Sequence, residues 1–94
     1  MQLLGKNIVD RFKKKHWSSR KALERWVKLI EGIDCGSPHD LKQLFGANVD
    51  FVGHQAVFDV GGNKYRIVAA IHFAYQKIYV RHVLTHKEYD KWKP

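Results

Sequence analysis

Apolar residues recur at helical spacing through the first third of the chain and at strand spacing after Val49. Ile8, Val9, Phe12 and His16 share one helical face, with Asn7 as an N-cap and Asp10 three residues on. Leu23, Trp26, Val27, Ile30 and Ile33 follow the three-four spacing, flanked by Ala22 and Leu29. That spacing predicts a second helix from about Ser19 to Glu31, with Gly32 as its C-terminal stop. Ahead of both, Gln2 to Leu4 reads as a short edge strand ending at Gly5. Ser37-Pro38-His39-Asp40 combines a cap, a first-turn proline and an acid, and opens a short helical turn through Leu41, Leu44 and Phe45 that Gly46 closes.

Four strands are expected next: Val49 to Val52, Ala56 to Val60, Lys64 to Phe73 and Lys77 to Leu84. Gly61-Gly62-Asn63 supplies the positive-φ residues of a hairpin, and Ala74-Tyr75-Gln76 makes a second turn. Alternation puts Tyr65, Ile67, Ala69, Ile71 and Phe73 on one face, and Lys64, Arg66, Val68, Ala70 and His72 on the other. Ile78, Val80, His82 and Leu84 oppose Tyr79, Arg81 and Val83 in the same way, which makes His82 a core residue. The predicted fold is therefore α+β: two N-terminal helices packed on a mainly antiparallel sheet of four to five strands, with a short C-terminal helix. Arg66 and Arg81 are left on the open face. No repeat, low-complexity run or linker divides residues 1–94, so one domain is expected.

Charge narrows the partners. Seventeen Lys and Arg against nine Asp and Glu give +8, with a pI near 9.8. The excess sits at the two ends: +6 over Met1 to Glu31 and +4 over His54 to Pro94, against −2 between them. Such a field draws polyanions, nucleic acid above all, or an acidic protein. The basic run Lys13 to His16 is either an RNA contact or a solvated helix face. No apolar run approaches the roughly 20 residues of a membrane span, and MQLLGKNIVD carries no signal-peptide core. A cytoplasmic chain with no membrane partner is expected. Cys35, the lone cysteine, reads as a buried thiol.

RNA needs no metal to be cleaved, because its 2′-hydroxyl is an internal nucleophile beside the scissile phosphate. The protein must supply a base, a proton donor and fixed cations for the phosphorane charge. Arg66 and Arg81 are the candidate cations, since a planar, permanently charged fork suits a phosphate. On parity alone they read equally well as solvent-facing strand residues. His86 and Tyr89 are three apart and share a helical face, next to Asp90. Thr85 and Glu88 are explained as a capping box, and the helix start between them would offer free N–H groups to a phosphate. His54 lies in a loop and is the further catalytic candidate; Lys64, Lys77, Tyr79, Lys87 and Asp90 are candidate substrate contacts. His82 and His86 are four apart but span a strand-to-helix junction, with no HExxH and no cysteine partner, so no metal or other cofactor is expected.

The run VFDVGGNKYRIVAAIHF followed by QKIYVRHVLTHKEYDKW resembles the HigB-type toxins of bacterial toxin–antitoxin systems, relatives of the RelE ribonucleases. The likeness extends over nearly the whole chain and is densest from Val57 to Asp90, in GGNKYR, YVRHV and THKEYD. It implies a RelE-like fold and an mRNA interferase acting in the A site of the translating ribosome. It also implies a helix-turn-helix HigA-type antitoxin as partner. The family's strand arginines match Arg66 and Arg81, and its C-terminal cluster matches His86, Tyr89 and Asp90. Where RelE itself has a lysine pair, this chain reads VGHQAVF, which leaves His54 or His86 as the base. The competing reading, a basic module that binds nucleic acid or the ribosome without cutting, leaves His86, Tyr89 and Asp90 idle.

Overall fold

Tight turns at two corners fix how this chain folds in the computed structural model, which describes residues 1–92. The first follows strand β1 (Gln2–Leu4) and leads directly into helix α1 (Lys6–Lys15). Gly5 makes it with φ 89°, and a Cβ there would stand 2.8 Å from the Val80 carbonyl oxygen. The residue that precedes α1 is thus a glycine chosen by backbone geometry, with no side-chain cap. The expected Asn7 cap is corrected: Asn7 lies inside the first turn.

A single 3₁₀ turn (Trp17–Ser19) connects α1 to helix α2 (Arg20–Glu31). Leu23, Trp26 and Ile30 are buried along α2, as their spacing requires. Gly32 ends it at φ −94°, so this stop does not use the left-handed conformation expected of a glycine. Two N-terminal helices were expected, and a third full helix follows, α3 (Pro38–Phe45). Its cap is the expected one: the Ser37 hydroxyl accepts the Asp40 N–H at 3.2 Å. Cys35, between α2 and α3, is buried and unpaired. Burial, then the nearby Asp40 carboxylate, push its thiol pKa above the ordinary value.

The second corner is the hairpin between β3 (Gln55–Val60) and β4 (Tyr65–His72), where Gly61 and Gly62 take φ 67° and 69°. With β2 (Val49–Val52) and β5 (Lys77–Thr85) they form a sheet in the order β1-β5-β4-β3-β2. Three pairings are antiparallel, but β1 runs parallel to β5, so the sheet is mixed. A short helix, α4 (His86–Lys91), completes the chain and packs back on β4 and β5.

Helices α1, α2 and α3 cover one face of the sheet. Phe58 is fully buried there, with the rings of Trp26 and Phe45 edge-on at 5.2 and 5.1 Å. Tyr65, Ile67 and Ala69 join it, as alternation along β4 requires. Alternation fails along β5. The register slips between Val68 and Ala69, so that Val68 faces His82 while Ala69 faces Val80. Arg81 is the extra residue of the bulge. Beyond it the faces exchange: Val83 enters the core, and Leu84 lies opposite Arg66. His82, expected in the core, is exposed on the other face.

Candidate active site

The β3–β4 register sets Asp59 directly opposite Arg66, on the face away from α1, α2 and α3. Arg66 is only 7% exposed, and its side chain is fully engaged. Its Nε donates to Asp59 Oδ1 at 2.9 Å. Nη1 donates to the carbonyl oxygens of Tyr65 and Asn63, at 3.1 and 3.2 Å. Nη2 donates to Asn63 Oδ1 and faces His86 Nδ1 at 3.1 Å. A guanidinium has five N–H groups, and each has an acceptor here. A buried charge with a counterion and full hydrogen bonding is the form a fold tolerates.

Helix α4 is pinned beside this arginine from both ends of its first turn. Thr85 Oγ1 accepts the Glu88 N–H at 3.2 Å, and Glu88 Oε1 accepts the Thr85 N–H at 2.8 Å, a complete capping box. That backbone hydrogen bond to Thr85 holds the Glu88 carboxyl below its ordinary pKa. The His86 N–H donates to the Lys64 carbonyl at 2.9 Å, which ties α4 to the hairpin turn. At this helix start, where free N–H groups were expected, those of His86 and Glu88 have protein acceptors.

Because a guanidinium can only donate, His86 Nδ1 is an acceptor and its ring proton sits on Nε2. Nε2 lies 3.4 Å from Asp90 Oδ2, one helical turn on. The Tyr89 ring lies over the Arg66 guanidinium at 5.6 Å and stacks on Trp92 at 5.8 Å. Trp92 in turn approaches the His82 ring at 6.0 Å.

Arg66, His86, Tyr89 and Asp90 are thus brought together, with the exposed side chains of Lys64 and Lys87 nearby in sequence. Arg81 is exposed at the bulge on β5. Tyr79 and Lys77 continue toward the far end of that strand, Tyr79 meeting the His72 ring edge at 5.8 Å. His54 is not part of the cluster. It lies in the β2–β3 turn, separated from the hairpin by the whole of β3, on the order of 20 Å. There it lines a cleft of about 410 Å³ with Pro38, Phe51 and Phe73. Sequence reasoning missed Asp59, Asn63 and Trp92. The signal for Asp59 was present, since a four-residue turn over Gly61–Lys64 pairs Val60 with Tyr65 and so sets an acid opposite an arginine. Among the described residues, no three His, Cys, Asp or Glu side chains are grouped to hold one cation.

Comparison with known proteins bears on this geometry. The model of the HigB toxin family, the RelE-like toxic component of a toxin–antitoxin system, matches residues 19–92. A protein named mRNA interferase HigB from Escherichia coli O6:H1 (strain CFT073) is 29% identical over 93 residues, covering 97% of this chain and 90% of that protein. The mRNA interferase toxin HigB of Escherichia coli K12 is 47% identical over 55 residues, covering 56% of this chain and 53% of that protein. The same figures hold for the mRNA interferase HigB of Shigella flexneri. The denser likeness thus spans about half the length of these last two relatives.

Proposed function

The chain belongs to the HigB toxin family of toxin–antitoxin systems, and from that premise we propose that it cuts mRNA in the A site of the translating ribosome. The relatives' shared name, mRNA interferase, supports an endoribonuclease. A net charge of +8 suits the substrate. The observation that carries the reading is the cluster in which buried Arg66 holds His86 beside Asp90 and underlies Tyr89.

In this reaction the 2′-oxygen attacks the adjacent phosphorus, the bond to the 5′-oxygen breaks, and a 2′,3′-cyclic phosphate and a 5′-hydroxyl remain. No divalent metal is needed in the chemical step, and no other cofactor. Asp90, exposed and acceptor-only when ionised, takes the proton of the 2′-hydroxyl. Tyr89 carries a transferable hydroxyl proton for the departing 5′-oxygen. A neutral imidazole is a poor acid but a good hydrogen-bond donor, so His86 Nε2–H stabilises the developing charge and transfers nothing. Arg81 and Lys64 are the exposed cations for the phosphorane. Arg66 positions His86, because its own donors are directed inward. Lys77, Tyr79 and Lys87 contact the strand on either side, and His54 has no role in the chemistry.

A helix-turn-helix antitoxin of the HigA type is the partner that silences this activity. The test is a reconstituted translation reaction, read by primer extension on the message. Cuts within translated codons are expected, absent when ribosomes are omitted and abolished by the antitoxin. Arrested translation over intact message would establish the competing reading, a module that binds without cutting.

A further inference from the structure

The corner between α1 and α2 carries a feature that the cleavage cluster does not use. Trp17 is 64% exposed, in the 3₁₀ turn whose buried residue is Ser19. The guanidinium of Arg20 lies over its ring at 4.3 Å from the centroid. Around it, residues 10–24 hold six Lys and Arg and two carboxylates. Both carboxylates are drawn to one lysine: Lys13 Nζ lies 3.2 Å from Asp10 and 4.0 Å from Glu24. Among the described residues, Lys14, Lys15 and Arg20 have no carboxylate within 4.0 Å. An indole left in water costs a fold the hydrophobic gain of burying it, and here Arg20 covers its ring while Lys14 lines the same shallow surface, together with Asp10, Lys13 and Glu24. Aromatic faces among tracking cations are how proteins hold single-stranded nucleic acid without reading its sequence.

The corner also lies at the same end of the sheet as the cluster. Ser18 Oγ is 3.0 Å from the Tyr65 hydroxyl. Tyr65 pairs with Thr85, the cap of α4, and precedes Arg66. Lys15 shares a shallow surface with Val83 of β5.

We propose that this corner is a second RNA-binding site, where an unpaired base of the substrate strand stacks on Trp17 while Lys14, Lys15 and Arg20 hold the flanking phosphates. The strand would run from the cleavage cluster around the Tyr65–Thr85 end of the sheet. The inference rests on RNA being the substrate, but it concerns binding and not cleavage.

The two are separated by measuring affinity for a 2′-O-methylated RNA of about twelve nucleotides, a length within the usual single-strand site range. Such an RNA has no free 2′-hydroxyl and cannot be cut by the proposed route. Trp17→Ala should weaken binding about thirtyfold, the middle of the range for one lost stacking partner, and Trp17→Phe should restore most of it. Lys14→Ala should lower the slope of log affinity on log salt by about 0.7, as for one single-strand phosphate contact. Equal affinity of wild type and Trp17→Ala overturns the proposal, even if cleavage on the ribosome is confirmed. So does loss of antitoxin binding by Trp17→Ala with RNA affinity unchanged, which would make the corner a protein interface. Because Trp17 is exposed, unfolding midpoints should coincide, and the comparison then reads binding alone.

Discussion

Arg66 Nη2 sits 3.1 Å from His86 Nδ1, and that contact fixes which nitrogen of His86 carries the proton. The other ring nitrogen, Nε2, lies 3.4 Å from Asp90 Oδ2. His86→Gln keeps an acceptor for Arg66 and a donor for the substrate, whereas His86→Ala removes both. Cleavage should therefore fall less than tenfold in His86→Gln, and about 10²–10³-fold in His86→Ala, the loss typical of one missing donor on developing charge. Single-turnover rates on a programmed ribosome measure both. Equal, complete loss in the two variants would make His86 an acid or base instead.

Replacing Arg66 should damage the fold as well as the activity. Its removal leaves the Asp59 carboxylate, partly shielded at 30% exposure, without its cation, and also frees Asn63 Oδ1 and His86 Nδ1. A fully buried pair would cost about 3–5 kcal/mol to break, and partial solvent access to Asp59 brings the expectation to about 2–3 kcal/mol. Urea unfolding of Arg66→Ala checks it. Asp59→Asn, which keeps an oxygen acceptor, should be milder.

Arg81→Ala should behave differently. Arg81 is exposed at the bulge, so stability should change by less than about 0.5 kcal/mol. Cleavage should drop about 10²–10³-fold if its charge sits on the phosphorane. Wild-type cleavage by a folded Arg81→Ala protein would remove it from the site.

These two arginines also show what could and could not be read from the sequence. Helical spacing located α2, the paired glycines located the hairpin, and Thr85-His86-Lys87-Glu88 located the start of α4. Alternation could not show the bulge at Arg81, because one inserted residue shifts every later side chain of β5 to the other face. That is why His82 was expected inside and Val83 outside. Arg66 looked solvent-facing because a strand pattern says nothing of what stands opposite. Its burial follows from Asp59 and Asn63, one fixed by hairpin register and the other by the turn itself. Asn7 looked like a cap because nothing local shows that the chain must turn at Gly5 against Val80.

The start of α4 should respond to acid. The Glu88 carboxyl has its pKa lowered in the folded protein by the Thr85 N–H, so the cap's contribution is complete above the ordinary glutamate value of about 4.3. It is lost as pH falls through the lower folded value. Glu88→Gln preserves the hydrogen-bonding pattern without the charge. Wild type should thus lose more stability than Glu88→Gln as pH falls from about 5 to 3. Thr85→Ala should cost about 1 kcal/mol at neutral pH. Urea midpoints across that range, compared between the two proteins, give the answer.

The chemistry of the RNA ends tests the central claim most directly. Messages recovered after expression without antitoxin should carry new breaks inside coding regions, each with a 5′-hydroxyl and a 2′,3′-cyclic or 3′-phosphate. Asp90→Asn, folded and present at equal level, should leave them intact. Breaks bearing 5′-phosphates, or unbroken messages in cells that have stopped growing, would contradict the account.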